Sequence, residues 1–152
     1  MKYVSISLTF VLLLAALALW TGESRGAAEH RFMNVPGRSD NNPYSNAVLA
    51  GDTLYLAGDI GVDPATGAPP KEVKDEVKIV MDNMKKRLEM AGMTMNDLVM
   101  VTVYCPDLSL YDEFNAIYRT YFNGRFPSRA FIGSGPLLLG GRFELTGVAV
   151  RQ

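Results

Sequence analysis

The chain has 152 residues, which suits one domain, and 48% of them are hydrophobic, enough for a sizeable core. Its formal net charge is −1, with no basic patch interleaved with aromatic residues, so nucleic acid is not an expected partner. The single cysteine and single histidine exclude an intrachain disulfide and argue against a zinc site and against mechanisms that pair histidine with serine or cysteine. We therefore expect neither a metal nor a cofactor.

The first 28 residues have the pattern of a secretory signal peptide. A positive residue, Lys2, precedes an apolar run over residues 4–20, and small residues follow up to Ala28. We expect cleavage after Ala28, export to the periplasm or the medium, and a mature domain of residues 29–152. The alternative is an uncleaved N-terminal membrane anchor, because the run is at the short limit for a membrane span.

Short strands and turns are predicted for the first part of the mature chain. The stretch "HRFMNV" is a strand candidate, and "PGRSDNNPYS" is a loop rich in Pro, Gly, Asn and Ser. Two strands that turn at Gly51 and Asp52 are predicted in "NAVLAGDTLYLAG". The next stretch, "DIGVDPATGAPPKE", is a loop with two proline-bearing turns.

The clearest helix is predicted over residues 73–91, where apolar residues recur every three or four positions and Gly92 follows as a natural stop. The strand "LVMVTVYC" comes next and makes Cys105 a buried, unreactive thiol. A second helix is predicted over residues 110–122, with an aromatic stripe. Two apolar strands, "PSRAFIG" and "FELTGVAV", complete the pattern.

The order β, β, β, α, β, α, β, β predicts the fold class. It favours an α+β domain built on a single mixed six-stranded sheet, with both helices packed on one face. The other face of the sheet still needs cover. In a domain this small, another subunit is the simplest cover.

Two charged residues stand inside the last two apolar strands. The guanidinium of Arg129 matches a carboxylate with two parallel hydrogen bonds, although a strand-end arginine also often reaches out to water. The carboxylate of Glu144 either faces solvent or, if partly buried, can hold a water and move a proton. We expect these successive strands to pair. The two charges would then fix an acid substrate and a water, or form a structural ion pair.

Several blocks, in order over residues 43–151, together resemble the reactive intermediate deaminase family, also called Rid or YjgF. The blocks are "NPYSNAVLAGDTLYLAGDIGVDPATG", "MDNMKKRLEMAGMTMNDLVMVTVYCPDL", "YDEFNAIYRTYF" and "FPSRAFIG" with "FELTGVAV". The resemblance implies a chorismate-mutase-like fold and a homotrimer with its sheets toward the centre. It also implies hydrolysis of 2-enamines and 2-imines of amino acids to 2-keto acids and ammonia, as in 2-iminobutanoate/2-iminopropanoate deaminases.

The resemblance also implies a site in a cleft between neighbouring subunits. Arg129 in "PSRA" would bind the substrate carboxylate, and Glu144 would orient the attacking water and help to transfer its proton. Tyr44, Gly58 and Asn115 match the family's further substrate-binding positions. The expected ligand is a small carboxylate-bearing imine, enamine or 2-keto acid.

Four positions depart from the family's pattern. Asn42 replaces a glycine, Ala57 replaces a serine, Ala130 replaces the serine after the arginine, and Asp59 replaces a glutamine. The carboxylate of Asp59 would either repel an anionic substrate or face away from it. Together with export, which is not the family's usual cytosolic setting, Asp59 favours the alternative function. That alternative is an exported small-ligand-binding or regulatory trimer of the same fold without deaminase activity.

Overall fold

The computed structural model describes residues 29–38 and 41–152, in which two α-helices pack on one face of a mixed six-stranded sheet. The strands are β1 His30–Met33, β2 Ala47–Ala50, β3 Thr53–Ile60, β4 Leu98–Cys105, β5 Ser128–Gly133 and β6 Glu144–Val150. The helices are α1 Val73–Met90 and α2 Tyr111–Tyr118. The predicted order of elements and the predicted fold class are confirmed.

The predicted signal peptide, and the membrane anchor that is its alternative, lie outside the described residues. Within the part of the chain that the structure describes, none of the helices has the length and apolar character needed to cross a membrane.

The strands lie side by side in the order β1-β2-β3-β6-β4-β5, and only β4 and β5 run parallel. A parallel pair needs a crossover connection, which α2 supplies. The expectation that β5 and β6 pair is wrong, because β4 lies between them. The connection over residues 134–143 is longer than a hairpin turn and carries the chain past β4.

The two helices form largely as their periodicity predicts. In α1 the apolar stripe is buried, and the helix gives way to Gly92, whose positive φ of 69° is easily adopted by glycine and ends the helix. The second helix is shorter than the predicted span 110–122. Its last predicted turn tightens into a 3₁₀ turn, Arg119–Tyr121.

The two faces of the sheet differ in what covers them. Side chains on one face, among them Leu54, Val103 and Leu145, are completely buried beneath the helices. On the other face, an apolar row crosses five strands in register. It consists of Phe32, Val48, Tyr55, Val148 and Met100. Phe32 is 70% exposed and Tyr55 is 52% exposed, so in the single chain this face lacks the cover that its composition calls for.

Candidate functional site

Arg129 projects from edge strand β5 toward α2. It pairs across the strands with buried Val101, and its guanidinium carbon lies 4.6 Å from the centre of the Tyr118 ring. One guanidinium nitrogen lies 3.4 Å from the hydroxyl of Tyr111. A small cleft of about 240 Å³ opens here, lined by Arg129, Tyr118 and the largely buried Asn115. The structure therefore brings two predicted site residues, Arg129 and Asn115, into one cleft.

The aromatic surroundings hold the Arg129 side chain without neutralising its charge. Cation–π contact with Tyr118 orients the guanidinium. Burial raises the pKa of Tyr118, and the positive charge of Arg129 opposes that rise. Among residues 29–38 and 41–152, no carboxylate forms an ion pair with Arg129. Within the part of the chain that the structure describes, its charge is therefore not balanced by a carboxylate.

Glu144 begins β6 and lines a second, larger cleft of about 700 Å³ together with Tyr44 and Gly58. A Cβ atom at residue 58 would overlap the carboxylate oxygen Oε1 of Glu144, so glycine is what allows this carboxylate to lie against the backbone of β3. The ring of Tyr44 is covered by the guanidinium of Arg38, 4.7 Å from its centre. The remaining three predicted site residues therefore meet here.

Arg129 and Glu144 do not meet within one chain. Arg129 points to the helix face, whereas Glu144 alternates with the buried Leu145 and so points to the opposite face. They are also out of register, since Arg129 pairs with Val101 of β4 and Glu144 with Tyr104 of β4. The alternative that these two residues form a structural ion pair with each other is therefore wrong for the single chain.

Asp59, which stands where the family's pattern has glutamine, forms an ion pair within the chain. The carboxylate oxygen Oδ1 of Asp59 lies 2.5 Å from a guanidinium nitrogen of Arg87 on α1, and both side chains are largely buried. Burial raises the pKa of Asp59, while the charge of Arg87 and a hydrogen bond with Asn83 oppose that rise. The Arg87 guanidinium also donates to the backbone oxygen of Ala57. The charge of Asp59 is thus balanced within the chain and is not left to repel a substrate.

One buried glutamate was not identified from the sequence. Glu76 on α1 is fully buried and accepts three hydrogen bonds, from the backbone nitrogens of Arg142 and Phe143 and from the Arg142 side chain, whose Nε lies 2.5 Å away. The Arg142 guanidinium also donates to the backbone oxygens of Pro70 and Lys71. This anchor joins α1 to the residues just before Glu144, so it fixes where β6 begins.

The sequence analysis also considered Cys105 and possible metal ligands. Cys105 is buried, and burial raises the pKa of its thiol, as expected for an unreactive strand cysteine. Across the two described segments, no group of three or more histidine, cysteine, aspartate or glutamate side chains could hold a metal ion.

Comparisons with known proteins find relatives over most of the described chain. The sequence model of the family described as Endoribonuclease L-PSP matches residues 38–151. The chain is 37% identical to the 2-iminobutanoate/2-iminopropanoate deaminase of Bos taurus over 110 residues, which cover 72% of this chain and 80% of that protein. It is 36% identical to a RutC family protein of Pyrococcus horikoshii over 111 residues, which cover 72% of this chain and 88% of the relative.

Solved structures give the same result. E. coli TdcF with bound serine superposes with a TM-score of 0.73 at 26% identity, covering 80% of this chain and 99% of that chain. RidA from the Antarctic bacterium Psychrobacter superposes with a TM-score of 0.69 at 28% identity, covering 83% of this chain and 99% of that chain. With a family match over most of its length and relatives above one third identity, the chain belongs to the Ribonuc_L-PSP (YjgF/Rid) family.

Proposed function

We propose that the protein hydrolyses 2-imines and 2-enamines of amino acids to 2-keto acids and ammonia. The observation that carries the proposal is the pair of clefts, one holding an arginine without a carboxylate partner and the other a carboxylate seated against a glycine. Several relatives at about 37% identity are named 2-iminobutanoate/2-iminopropanoate deaminases. TdcF binds serine, which is also a small molecule with an α-carboxylate.

Hydrolysis of an imine requires mainly that the substrate and a water be correctly positioned. Arg129 would bind the substrate carboxylate through two hydrogen bonds and place the C=N carbon in the cleft. Glu144 would accept a proton from a water as its oxygen attacks that carbon. Attack on the protonated C=N group gives a tetrahedral adduct with one hydroxyl and one amino group, and a 2-enamine would first take a proton on its β-carbon to become this iminium. Glu144 would then return its proton to the amino group. As the C–N bond breaks and ammonia leaves, the hydroxyl proton would pass to water and the keto acid would remain.

The two clefts must come together for this reaction, and we propose that they do so between subunits of a homotrimer. The uncovered apolar row on the sheet and the opposite orientations of Arg129 and Glu144 support the proposal. Light scattering of the purified protein is expected to give three times the monomer mass. A stable monomer at micromolar concentration would contradict both the trimer and the shared site.

Replacing Glu144 by glutamine is expected to lower the turnover number by roughly tenfold. This is less than the ~100-fold or more that acid–base catalysis often supplies, because an imine is already reactive. An assay that couples an amino-acid oxidase, as the source of imine, to keto-acid formation measures the change. Binding of a 2-keto acid to the variant should stay close to that of the wild type. Undiminished turnover in Glu144→Gln would remove Glu144 from the mechanism.

The alternative function is a ligand-binding or regulatory trimer. It would be favoured if the wild-type protein left every amino-acid imine unhydrolysed while still binding 2-keto acids through Arg129. Ribonuclease activity, which the family's description names, has less support from this chain. Its net charge is −1, and its one histidine, His30, is exposed on edge strand β1.

We also propose that the protein is exported, on the strength of the signal-peptide pattern in residues 1–28. Cell fractionation with N-terminal sequencing is expected to find an exported product that begins at Glu29. A cytosolic product that begins at Met1 would contradict export, and an uncleaved membrane-bound product would favour the anchor.

A further inference from the structure

The connection between β5 and β6 presents two adjacent leucines at the Glu144 cleft. Leu138 is 78% exposed and Leu139 is 66% exposed, and both line the cleft with Glu144. Large apolar side chains this exposed at the mouth of a cleft are typical of binding surfaces. They call for an explanation beyond the folding of the single chain.

The backbone at these leucines is held in an unfavourable conformation. Leu139 has a positive φ of 58°, and among the described residues it is the only non-glycine with a positive φ. A branched side chain adopts this left-handed region at a cost, which persists only where the surrounding structure imposes it. The chain just after the leucines is held in place, because a Cβ atom at residue 141 would lie 2.5 Å from the Ile60 side chain and Arg142 is anchored by buried Glu76. The leucines are therefore presented by a connection that is fixed at its end.

The rest of the cleft is also largely apolar. Ala57, Ile60 and Val62 line it beside the leucines. Asp59, which also lines it, is paired with Arg87, so Glu144 is left as the one lining carboxylate without an ion-pair partner among the described residues. A volume of about 700 Å³ is large for a pyruvate-sized ligand alone and falls in the usual range of small-molecule sites.

The bonds within the substrate determine which of its groups contacts the leucines. The imine carbon carries three substituents: the carboxylate, the nitrogen and the amino-acid side chain. In the shared site proposed above, with the carboxylate at Arg129 and the C=N group beside Glu144, the side chain would occupy the remaining space of the Glu144 cleft. An apolar side chain would be desolvated there favourably, whereas an acidic one would meet Glu144.

We propose that Leu138 and Leu139 form a side-chain pocket that selects imines of large apolar amino acids, such as leucine or methionine, over those of alanine or glutamate. This inference rests on the proposed function, since it names the substrate class of the same site. The two leucines are specificity-determining residues, and they take no part in the proton transfers.

Calorimetric binding of two 2-keto acids tests the pocket without requiring catalysis. The probes are 4-methyl-2-oxopentanoate, which carries the leucine side chain, and pyruvate, which carries that of alanine. The wild-type protein is expected to bind the former at least tenfold more tightly, since one extra methylene in an apolar pocket already changes affinity by about 10–200-fold. The double variant Leu138→Gln, Leu139→Asn keeps the side chains similar in size, and asparagine tolerates the left-handed backbone. It is expected to bring the ratio close to one.

Leu108→Ala is the matched control, because Leu108 is 54% exposed but does not line the Glu144 cleft. It should keep the wild-type ratio. The proposed pocket would be wrong if the wild type bound the two acids with equal affinity. It would also be wrong if the double variant kept the wild-type affinity ratio. Loss of the oligomer in the double variant, measured by light scattering, would contradict the pocket as well, since the leucines would then be subunit contacts.

The same proteins in the oxidase-coupled assay separate this inference from the proposed function. If the affinity ratio behaves as expected but no imine is hydrolysed, the pocket stands and the deaminase proposal fails. If imines are hydrolysed but leucine- and alanine-derived imines react equally well in wild type and double variant, the deaminase proposal stands and the pocket fails.

Discussion

Replacing Arg129 by lysine is expected to reduce the specificity constant for imine hydrolysis by about tenfold to a few hundredfold. Hydrogen bonds to charged groups contribute roughly 1.5–3 kcal/mol each, and lysine offers a point charge in place of a planar fork. Lysine also loses the stacking that holds the guanidinium 4.6 Å from the centre of the Tyr118 ring. Arg129→Ala is expected to lose at least as much. The coupled assay gives the specificity constants, and calorimetry with a 2-keto acid gives the loss of binding.

Arg125→Lys provides the matched control, because Arg125 lies on the preceding loop and does not line the Arg129 cleft. It should behave as wild type, and all variants should keep the same mass by light scattering. If Arg129→Ala hydrolysed imines as fast as wild type, the carboxylate would have to be bound elsewhere and the assignment of this cleft would be wrong.

Replacing Glu76 by alanine is expected to lower the free energy of unfolding by about 3–5 kcal/mol, the usual cost of removing one partner of a buried ion pair. The change leaves two backbone N–H groups and the Nε of Arg142 without their acceptor. Glu76→Gln should cost less, because its amide oxygen can still accept the two backbone hydrogen bonds. Urea denaturation at one fixed protein concentration measures both, since unfolding of an oligomer depends on concentration.

Glu89→Ala on the same helix is the control for this prediction. Its carboxylate lies 3.9 Å from Lys85 with both side chains more than half exposed, and such surface pairs contribute little. A change below about 0.5 kcal/mol is expected there. If Glu76→Ala were as mild as Glu89→Ala, the pair would not anchor the start of β6.

Local patterns explain which parts of the molecule could be predicted. Helix periodicity and strand alternation are properties of neighbouring residues, so the eight regular elements could be identified from the sequence. The isolated charges in apolar strands pointed to Arg129 and Glu144 for the same reason. Glu76 also had a local indication, since it follows Val73 by three positions and precedes Val80 by four, which places it on the buried stripe.

What could not be predicted depends on distant parts of the chain. Arg142, the partner of Glu76, is 66 residues away, and Arg87, the partner of Asp59, is 28 residues away. The alternation of apolar residues shows which face of a strand is buried, but not which strand lies beside it. It fits a sheet in which β5 pairs with β6 as well as the observed sheet, in which β4 lies between them. The positive φ of Leu139 could not be predicted either, because leucine rarely adopts this conformation.

The central position of β6 has a consequence for how the protein is made. Residues 144–150 separate β3 from β4, so the sheet consists of two unjoined parts until that segment has left the ribosome. The emerging polypeptide therefore cannot close its core during synthesis, and the decisive strand pairings bridge long stretches of sequence. If the protein is exported as proposed, a sheet that is still open during synthesis would leave the emerging chain able to thread through a narrow translocation channel.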